Sequence, residues 1–183
     1  MQKREIVHIV PSLGKGGAER FVVDLCNELA ANNKYEIYLI SLRYNVPEST
    51  FIKELGQNVI YHCFNKKPGF DLLALIRLTR FLLKESPFII HTHINALEYS
   101  LLYKLLSGNR SRSYHTIHSD AFKECEMPLM RKLRRFLYKE YIIKPITISH
   151  SSSSSFKDCY HLFKDVMIEN GRVPLKQIEA DKY

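Results

Sequence analysis

The stretch that decides the fold is Ile6-Val-His-Ile-Val10, followed at once by Pro11-Ser-Leu-Gly-Lys-Gly-Gly-Ala-Glu-Arg20. The first segment is a short β-rich run, and an amphipathic helical pattern extends from about Ala18 to Ala31. A strand that leads through a glycine-rich turn into a helix is the opening unit of a parallel α/β sheet. The beginning of the chain therefore predicts this class of fold.

Strand-like and helical segments alternate along the rest of the chain. Because helical stretches separate the strands, we expect parallel pairing, and because the strands are almost continuously apolar, we expect helices on both faces of the sheet. The predicted fold is a doubly wound, mostly parallel α/β sheet of about seven strands, Rossmann-like in architecture. The predicted strands are Glu5–Val10, Tyr35–Leu42, Asn58–Phe64, Phe88–His93, Ser113–His118, Pro145–Ser149 and Val166–Glu169.

Composition and charge indicate a globular protein with anionic partners. The 183 residues are 45% hydrophobic and 25% charged, as in an ordinary globular domain, and the net charge of +8 favours anionic partners. The four cysteines form no Cys-x-x-Cys pair, which indicates buried thiols in a reducing compartment. The sequence shows neither an apolar signal core at its start nor a run of roughly twenty apolar residues, so we expect a cytoplasmic protein.

The glycine-rich segment between the first strand and the first helix is the strongest local signal. It predicts a phosphate or sugar-phosphate contact, since glycines let the backbone approach a ligand and a helix start offers free N–H groups. A tight strand-to-helix turn would also need glycine. The Walker A spacing is absent. The dinucleotide-binding fingerprint is disfavoured, because Glu19 stands where that motif needs a third small residue. After the second strand the chain has Arg43 instead of an acidic residue, which leaves NADP as the one dinucleotide alternative.

Histidines near the ends of two strands form the second signal. His91 and His93 end the fourth strand, and His115 and His118 end the fifth. The carboxyl ends of the strands line the ligand crevice of an open α/β sheet, so we expect His93 and His118 to lie near the glycine loop. Structural roles stay open for His91 and His115, and zinc binding by His91 and His93 with a third histidine is a further alternative. For His118 a functional role is favoured.

A basic, amphipathic segment, Pro128–Tyr141, is the third signal. Its helical wheel separates an apolar face from a cationic one, a pattern shared by solvated helices and by helices that lie on membranes. On anionic lipid, four or five cations at about 1 kcal/mol each would give weak, salt-sensitive docking. The chain carries no nucleic-acid-binding motif, so lipid is favoured over RNA or DNA. The two faces are Leu129, Leu133, Phe136 and Leu137, and Arg131, Lys132, Arg135 and Lys139.

Five segments, Val7–Arg20, Pro87–His93, Thr116–Ser119, Ile146–Ser149 and Val166–Gly171, occur in this order along almost the whole chain. Together they resemble the amino-terminal half of retaining glycosyltransferases of family 4, which have the GT-B fold. Each segment alone is a weak signal, and the combination is specific.

The resemblance implies an enzyme of two Rossmann-like domains that face each other across a cleft. Residues 1–172 would form the acceptor-side domain, and residues 173–183 would begin the linker to a donor-binding domain. Gly16 and Gly17 match the loop that approaches the donor's phosphates and sugar, and His118 matches the catalytic-site histidine that contacts the donor sugar. Four further residues are expected to line the cleft or contact the acceptor: His93, Asn95, Arg20 and Asn170.

The resemblance also implies the chemistry and the partners. A sugar would pass from a nucleotide-sugar donor to an acceptor hydroxyl with retained configuration, and neither a metal ion nor a cofactor would be required. The family's carboxylate pair belongs to the second domain, and the chance copy Glu28–Glu36 lies away from the predicted cleft, so the chain alone is expected to be inactive. The expected acceptor is a sugar or a lipid-linked sugar, in cell-surface glycan or glycolipid synthesis at the inner face of the membrane.

Besides the NADP-binding module, two alternatives remain open from the residues alone. A complete, non-catalytic α/β module could bind sugars or lipids in the same cleft. A metal-dependent hydrolase could use His91, His93 and His118 as ligands, and it would carry zinc after purification.

Overall fold

The structure is a computed structural model that describes residues 3–44, 46–108 and 110–171. Its strands are β1 (Arg4–Val10), β2 (Tyr35–Ser41), β3 (Val59–Cys63), β4 (Ile89–His93), β5 (Arg112–Ile117), β6 (Lys144–Thr147) and β7 (Val166–Met167). The α-helices are α1 (Gly17–Ala31), α2 (Leu72–Glu85), α3 (Leu101–Leu106), α4 (Ala121–Glu124), α5 (Pro128–Lys139) and α6 (His150–Tyr160). Short 3-10 helices cover Pro47–Ser49, Ile52–Glu54 and Leu97–Ser100.

The seven strands form one parallel sheet in the order β3-β2-β1-β4-β5-β6-β7. The predicted doubly wound, Rossmann-like α/β class is therefore confirmed, and each predicted strand agrees with the observed one to within two residues at either end. The strand order reverses between β1 and β4, which lie side by side at the centre. In sheets of this kind, ligands bind outside the carboxyl ends of the strands at such a reversal.

Side-chain alternation along the central strands divides the core between the two faces of the sheet. In β1, Val7 and Ile9 pack with α2, while Ile6 and Val10 pack with α1. The fully buried residues of α1 are Val22, Val23, Cys26 and Ala30, whereas Phe21, Leu25 and Leu29 are only partly buried. Burial on both faces explains why the strands read as continuous apolar runs.

Side chains cap the N-termini of helices α2 and α6. The Asp71 side chain caps α2 by accepting from the backbone N–H of Ala74. At the start of α6, Ser149 and Ser152 form a capping box.

Helix α5 departs from the predicted separation of faces. The sequence groups Leu129 and Phe136 with Leu137, but the first two are 67% and 55% exposed and only Leu137 is buried. Arg134 takes a buried place instead, since its guanidinium Nε and Nη2 donate to the Glu98 carboxylate at 2.7 and 2.9 Å. This pair turns the helix so that apolar and cationic side chains share its outer surface.

The prediction of buried thiols is correct for two of the four cysteines. All four cysteines are free; Cys26 and Cys125 are buried, and Cys63 and Cys159 are partly exposed. Across the three described ranges, each helix is too short or too polar to cross a lipid bilayer.

Candidate functional site

The glycine loop joins the end of β1 to the start of α1 at the central edge of the sheet. The backbone N–H of Gly16 donates to the carbonyl of Gly14 at 2.9 Å, and that of Arg20 donates to the carbonyl of Gly16 at 3.0 Å. A Cβ added to Gly16 would run into the Glu19 carboxylate, whereas a Cβ on Gly17 would meet nothing within 4 Å. Packing within the described chain therefore gives no reason for glycine at position 17, which leaves room there for a ligand.

Three histidine side chains form a hydrogen-bonded relay that leads from the middle of the sheet to its edge. Nδ1 of His8 lies 3.1 Å from Nε2 of His93, and Nδ1 of His93 lies 3.0 Å from Nε2 of His118. Alternation places the three rings on the α1 face of the sheet, because β1 and β4 pair in parallel with His8 opposite His91. The two ends of the relay, Nε2 of His8 and Nδ1 of His118, are buried and have no partner among the described residues.

Burial keeps the relay neutral. It lowers the pKa of His8 and of His118 to about 4. The pKa of His93 is lowered well below its ordinary value, mainly by burial and further by the neighbouring imidazoles. At neutral pH each ring therefore carries one N–H, and two hydrogen bonds along three rings can run in only two directions.

The two directions differ in where they leave an unpaired N–H. If His118 donates toward His93, the free N–H lies on Nε2 of His8, inside the sheet. If His8 donates toward His93, the free N–H lies on Nδ1 of His118, at the outer end of the relay. Both end nitrogens are buried, but the His118 side chain is partly exposed whereas His8 is 1% exposed. The second direction is favoured, because it leaves the unpaired N–H at the end nearer to the surface.

The loop after β5 holds His118 in place. The backbone N–H groups of His118 and Ser119 both donate to Oε1 of Glu124 at 2.8 Å, and the Ser119 hydroxyl donates to the same oxygen at 3.1 Å. Burial raises the pKa of Glu124, and the hydrogen bonds from His118 and Ser119 oppose that rise. Asp120 begins α4 by accepting from the backbone N–H groups of Phe122 and Lys123.

Helix α1 and His118 share one wall of the site. The ring of Phe21 meets the imidazole of His118 edge-on, with ring centroids 5.4 Å apart. Phe21 lies about one helical turn after Gly17, so the glycine end of α1 and His118 belong to the same edge. The expectation that the glycine loop lies near His93 and His118 agrees with this geometry.

The other predicted site residues lie in different surroundings. The Arg20 guanidinium pairs with Asp24 at 3.1 Å and with Glu54. Asn95 is exposed and lines a pocket beside the relay strand β4. Asn170 is exposed beyond β7, and the predicted linker, together with Arg172, lies outside the described residues.

His91 and His115, for which the sequence left structural roles open, both make hydrogen bonds within the sheet. His115 points to the opposite face of the sheet, where its Nδ1 lies 2.9 Å from the Thr92 hydroxyl and its ring stacks on Tyr138. Nε2 of His91 lies 2.7 Å from the hydroxyl of Thr116. Both therefore have hydrogen-bonded structural roles. His8 was not among the predicted site residues, because the prediction considered histidines at strand ends. The feature that could have pointed to His8 is a histidine inside an otherwise apolar strand.

Among the described residues, one group of three histidines could hold a cation. His8, His91 and His93 each offer a nitrogen within 4.8 Å of the others, so His8 takes the place of His118 beside the predicted pair. Both ring nitrogens of His93 already take part in the relay, so a metal bound there would have to break one of its hydrogen bonds.

Comparison with known proteins shows the family and the fold of the chain. The sequence model of Glycosyltransferase Family 4 matches residues 15–165, well over half of the chain. Among solved structures, the crystal structure of HepE from Anabaena in complex with UDP is similar, with a TM-score of 0.69 and 14% identity. The match covers 92% of this chain and 44% of HepE, so the chain spans less than half of that protein. No curated protein matches significantly.

Proposed function

The chain belongs to Glycosyltransferase Family 4, and on that basis we propose that it is the acceptor-side domain of a retaining GT-B glycosyltransferase. In this proposal the domain comprises residues 1–172, and residues 173–183 begin the linker to a donor-binding domain. The observation that carries the proposal is the meeting of the glycine end of α1 and His118 at one edge of the sheet, through Phe21.

The glycine end of α1 would face the phosphates of the donor. Free N–H groups and the positive end of the helix dipole favour an anion at this position. The open space over Gly17 lets the backbone come close to the donor's phosphates and sugar. The complex of HepE with UDP supports a nucleotide-sugar as donor in this proposal.

His118 would orient the donor sugar. Its Nδ1–H donates to a sugar hydroxyl, while Nε2 is held by His93.

During transfer the bond from the anomeric carbon to the diphosphate breaks as the bond to the acceptor oxygen forms on the same face. The acceptor proton passes to the departing diphosphate. The protein contributes position and charge stabilisation rather than a nucleophile, and the proposal assigns no metal ion or cofactor to the reaction.

The outer surface of α5 supports a membrane-bound acceptor. Leu129 and Phe136 are exposed beside Lys132 and Lys139, on one stripe at spacings of three and four residues. Such a mixture of apolar and cationic groups suits the surface of an anionic membrane. We therefore propose a lipid-linked or cell-surface glycan acceptor and peripheral docking on the cytoplasmic side, without nucleic acid as a partner.

Donor screening on the full-length protein tests the function. Several nucleotide sugars are offered with and without acceptor glycans, and release of the nucleotide is measured. One donor should be consumed, with retained configuration in the product, and residues 1–183 alone should consume none. Binding of sugars without turnover of any donor would favour the non-catalytic module, and zinc in stoichiometric amount in the purified protein would favour the hydrolase.

A further inference from the structure

A pocket of ≈ 250 Å³ opens at the carboxyl ends of β1, β2, β3 and β4, beside the point where the strand order of the sheet reverses. Its walls include Arg43, Lys66, Phe70, Asn95 and Tyr99. None of these residues belongs to the histidine relay, and the loops after three different strands supply them. The position is the one at which open α/β sheets bind small molecules.

The charge of the pocket is positive and uncompensated. Its lining contains Arg43 and Lys66 but neither aspartate nor glutamate. The backbone of Arg43 is fixed, because its N–H donates to the carbonyl of Pro11 at 2.9 Å and its carbonyl accepts from the Ser41 hydroxyl at 2.6 Å. The Arg43 guanidinium has no hydrogen-bond or ion-pair partner within residues 3–44, 46–108 and 110–171. It is free to bind an anion.

Lys66 is held in position at the other side of the pocket. Its ammonium donates to the carbonyl of Lys67 at 2.9 Å and to the carbonyl of Gly69, and it lies 5.4 Å from the centre of the Tyr99 ring. Both hydrogen-bond partners are neutral, so they leave the charge in place. The neighbouring carboxylate of Asp71 accepts from backbone N–H groups, those of Lys67 and Ala74, instead of pairing with a cation.

An exposed aromatic ring completes the pocket. Phe70 is 75% exposed, and its centroid lies 6.2 Å from that of Tyr99. The Tyr99 hydroxyl accepts from the backbone N–H of Asp71 at 2.9 Å, which fixes this second ring. A flat apolar surface beside cations suits a ligand that has both a sugar ring, whose C–H face packs on an aromatic side chain, and a negative group.

We propose that this pocket binds an anionic acceptor: a phosphate or carboxylate of the acceptor glycan lies between Arg43 and Lys66, and its sugar ring packs on Phe70. The proposal rests on the proposed glycosyl transfer and specifies the class of acceptor. The negative group has two possible sources, the phosphate of a lipid-linked sugar or the carboxylate of a uronic acid, and both would use the same pair of cations.

Titration of the ¹⁵N-labelled full-length protein at constant ionic strength tests the pocket directly. Glucose 6-phosphate, glucuronate and glucose are added separately, and the backbone amide signals of Gly69 and Phe70 are followed. At least one anionic sugar should bind about tenfold more tightly than glucose, and the comparison of phosphate with carboxylate identifies the source. Equal affinity for all three sugars, or no shift of these signals, overturns the proposal.

Matched variants separate the pocket from the general positive charge of the chain. Arg43→Gln combined with Lys66→Gln should remove the preference for anionic sugars. Arg80→Gln combined with Lys84→Gln makes the same charge change on the exposed side of α2 and should leave the preference intact. If both pairs weaken binding equally, the effect is general electrostatics and the pocket assignment is wrong.

Donor consumption, measured separately, distinguishes this proposal from the proposed function. Consumption of a donor without preference for anionic sugars overturns the pocket while the transferase stands. Preference for anionic sugars in a protein that consumes no donor overturns its role as an acceptor site, since there is then no transfer to accept.

Discussion

Nδ1 of His93 lies 3.0 Å from Nε2 of His118, and this contact leaves Nδ1 as the ring nitrogen of His118 that has no partner among the described residues. The strand β4 thus supplies the ring that orients His118, and the loop after β5 supplies the ring that we propose contacts the donor sugar. The same contact makes the orientation of His118 depend on His93.

His118→Ala tests the residue that is proposed to contact the donor sugar. We expect kcat/KM of the full-length enzyme to fall on the order of 10²-fold, because the sugar loses its orienting hydrogen bond. Steady-state kinetics with the donor found by screening measure this. His150→Ala, at the exposed start of α6, is the control. Unchanged kinetics for His118→Ala remove the residue from the site.

Substitutions of His93 test its role as a positioning residue. His93→Leu breaks both relay contacts and should lower kcat about tenfold, whereas His93→Gln should restore much of the loss. The amide of glutamine can accept from His8 and donate to His118, as the neutral imidazole does. The ¹⁵N signals of the His118 ring report its tautomer: the N–H should be on Nδ1 in the native protein and in His93→Gln.

A merely structural role for His93 would give a different result. In that case both variants would change stability and leave the His118 tautomer as it is. A native ring with its N–H on Nε2 would contradict the favoured direction of the relay.

Gly17→Ala tests the open space at the start of α1. The added methyl group meets nothing within 4 Å, so the free energy of unfolding should stay the same or rise by less than about 1 kcal/mol. The donor should lose access, and we expect its KM to rise about tenfold. Thermal unfolding and donor kinetics are measured on the same samples. A stable variant with unchanged KM would show that the donor does not approach this glycine.

Acid should lower the free energy of unfolding of the domain between pH 6.5 and about pH 4. The pKa of His8 and of His118 is about 4 in the folded chain, against an ordinary 6.5, because both rings are buried. Between these values the unfolded chain binds more protons, so the free energy of unfolding falls as pH decreases from 6.5 toward 4. Each such histidine contributes a slope of up to ~1.4 kcal/mol per pH unit.

Urea unfolding at several pH values measures this slope. His8→Gln should reduce it, and His150→Gln is the matched control. The raised pKa of Glu124 acts with the opposite sign and reduces the net effect. A free energy of unfolding that is constant or rises on acidification through this window would contradict the prediction.

The Arg134–Glu98 pair should contribute asymmetrically to stability. The Arg134 side chain is 2% exposed and that of Glu98 is 26% exposed. Glu98→Gln leaves a buried guanidinium without its counter-charge and should cost about 3 kcal/mol, whereas Arg134→Met leaves a carboxylate that water can reach and should cost less. Urea unfolding of the two single variants and the double variant gives the coupling energy. Equal costs for the two single variants would argue against this asymmetry.

The fold could be predicted from the sequence because the signals are local. Burial on both faces gives the central strands β1 and β2 apolar runs such as Ile37–Ile40, and helices between strands favour parallel pairing. The positions of His93 and His118 followed from the rule that strand ends line the crevice. These features depend on the order of residues along the chain, which the sequence shows directly.

The details of the site were not predictable because they depend on contacts between distant segments. His8 joins the relay only because β1 pairs with β4 in a register that places it beside His91 and His93. The outward direction of Phe136 follows from the ion pair of Arg134, formed across 36 positions of sequence. The pocket at Arg43 and Lys66 likewise needs the loops after three strands in their final places.

The register of β1 against β4 also has a consequence for biosynthesis. His8 and His93 are 85 positions apart, and the relay also needs His118, so it cannot form until the chain as far as His118 has left the ribosome and the two central strands have paired. Closing so long a loop is slow compared with forming a local helix. Assembly of the imidazole relay therefore reports that β1, β4 and the loop after β5 have come together, and a nascent chain that stops before His118 has no complete relay.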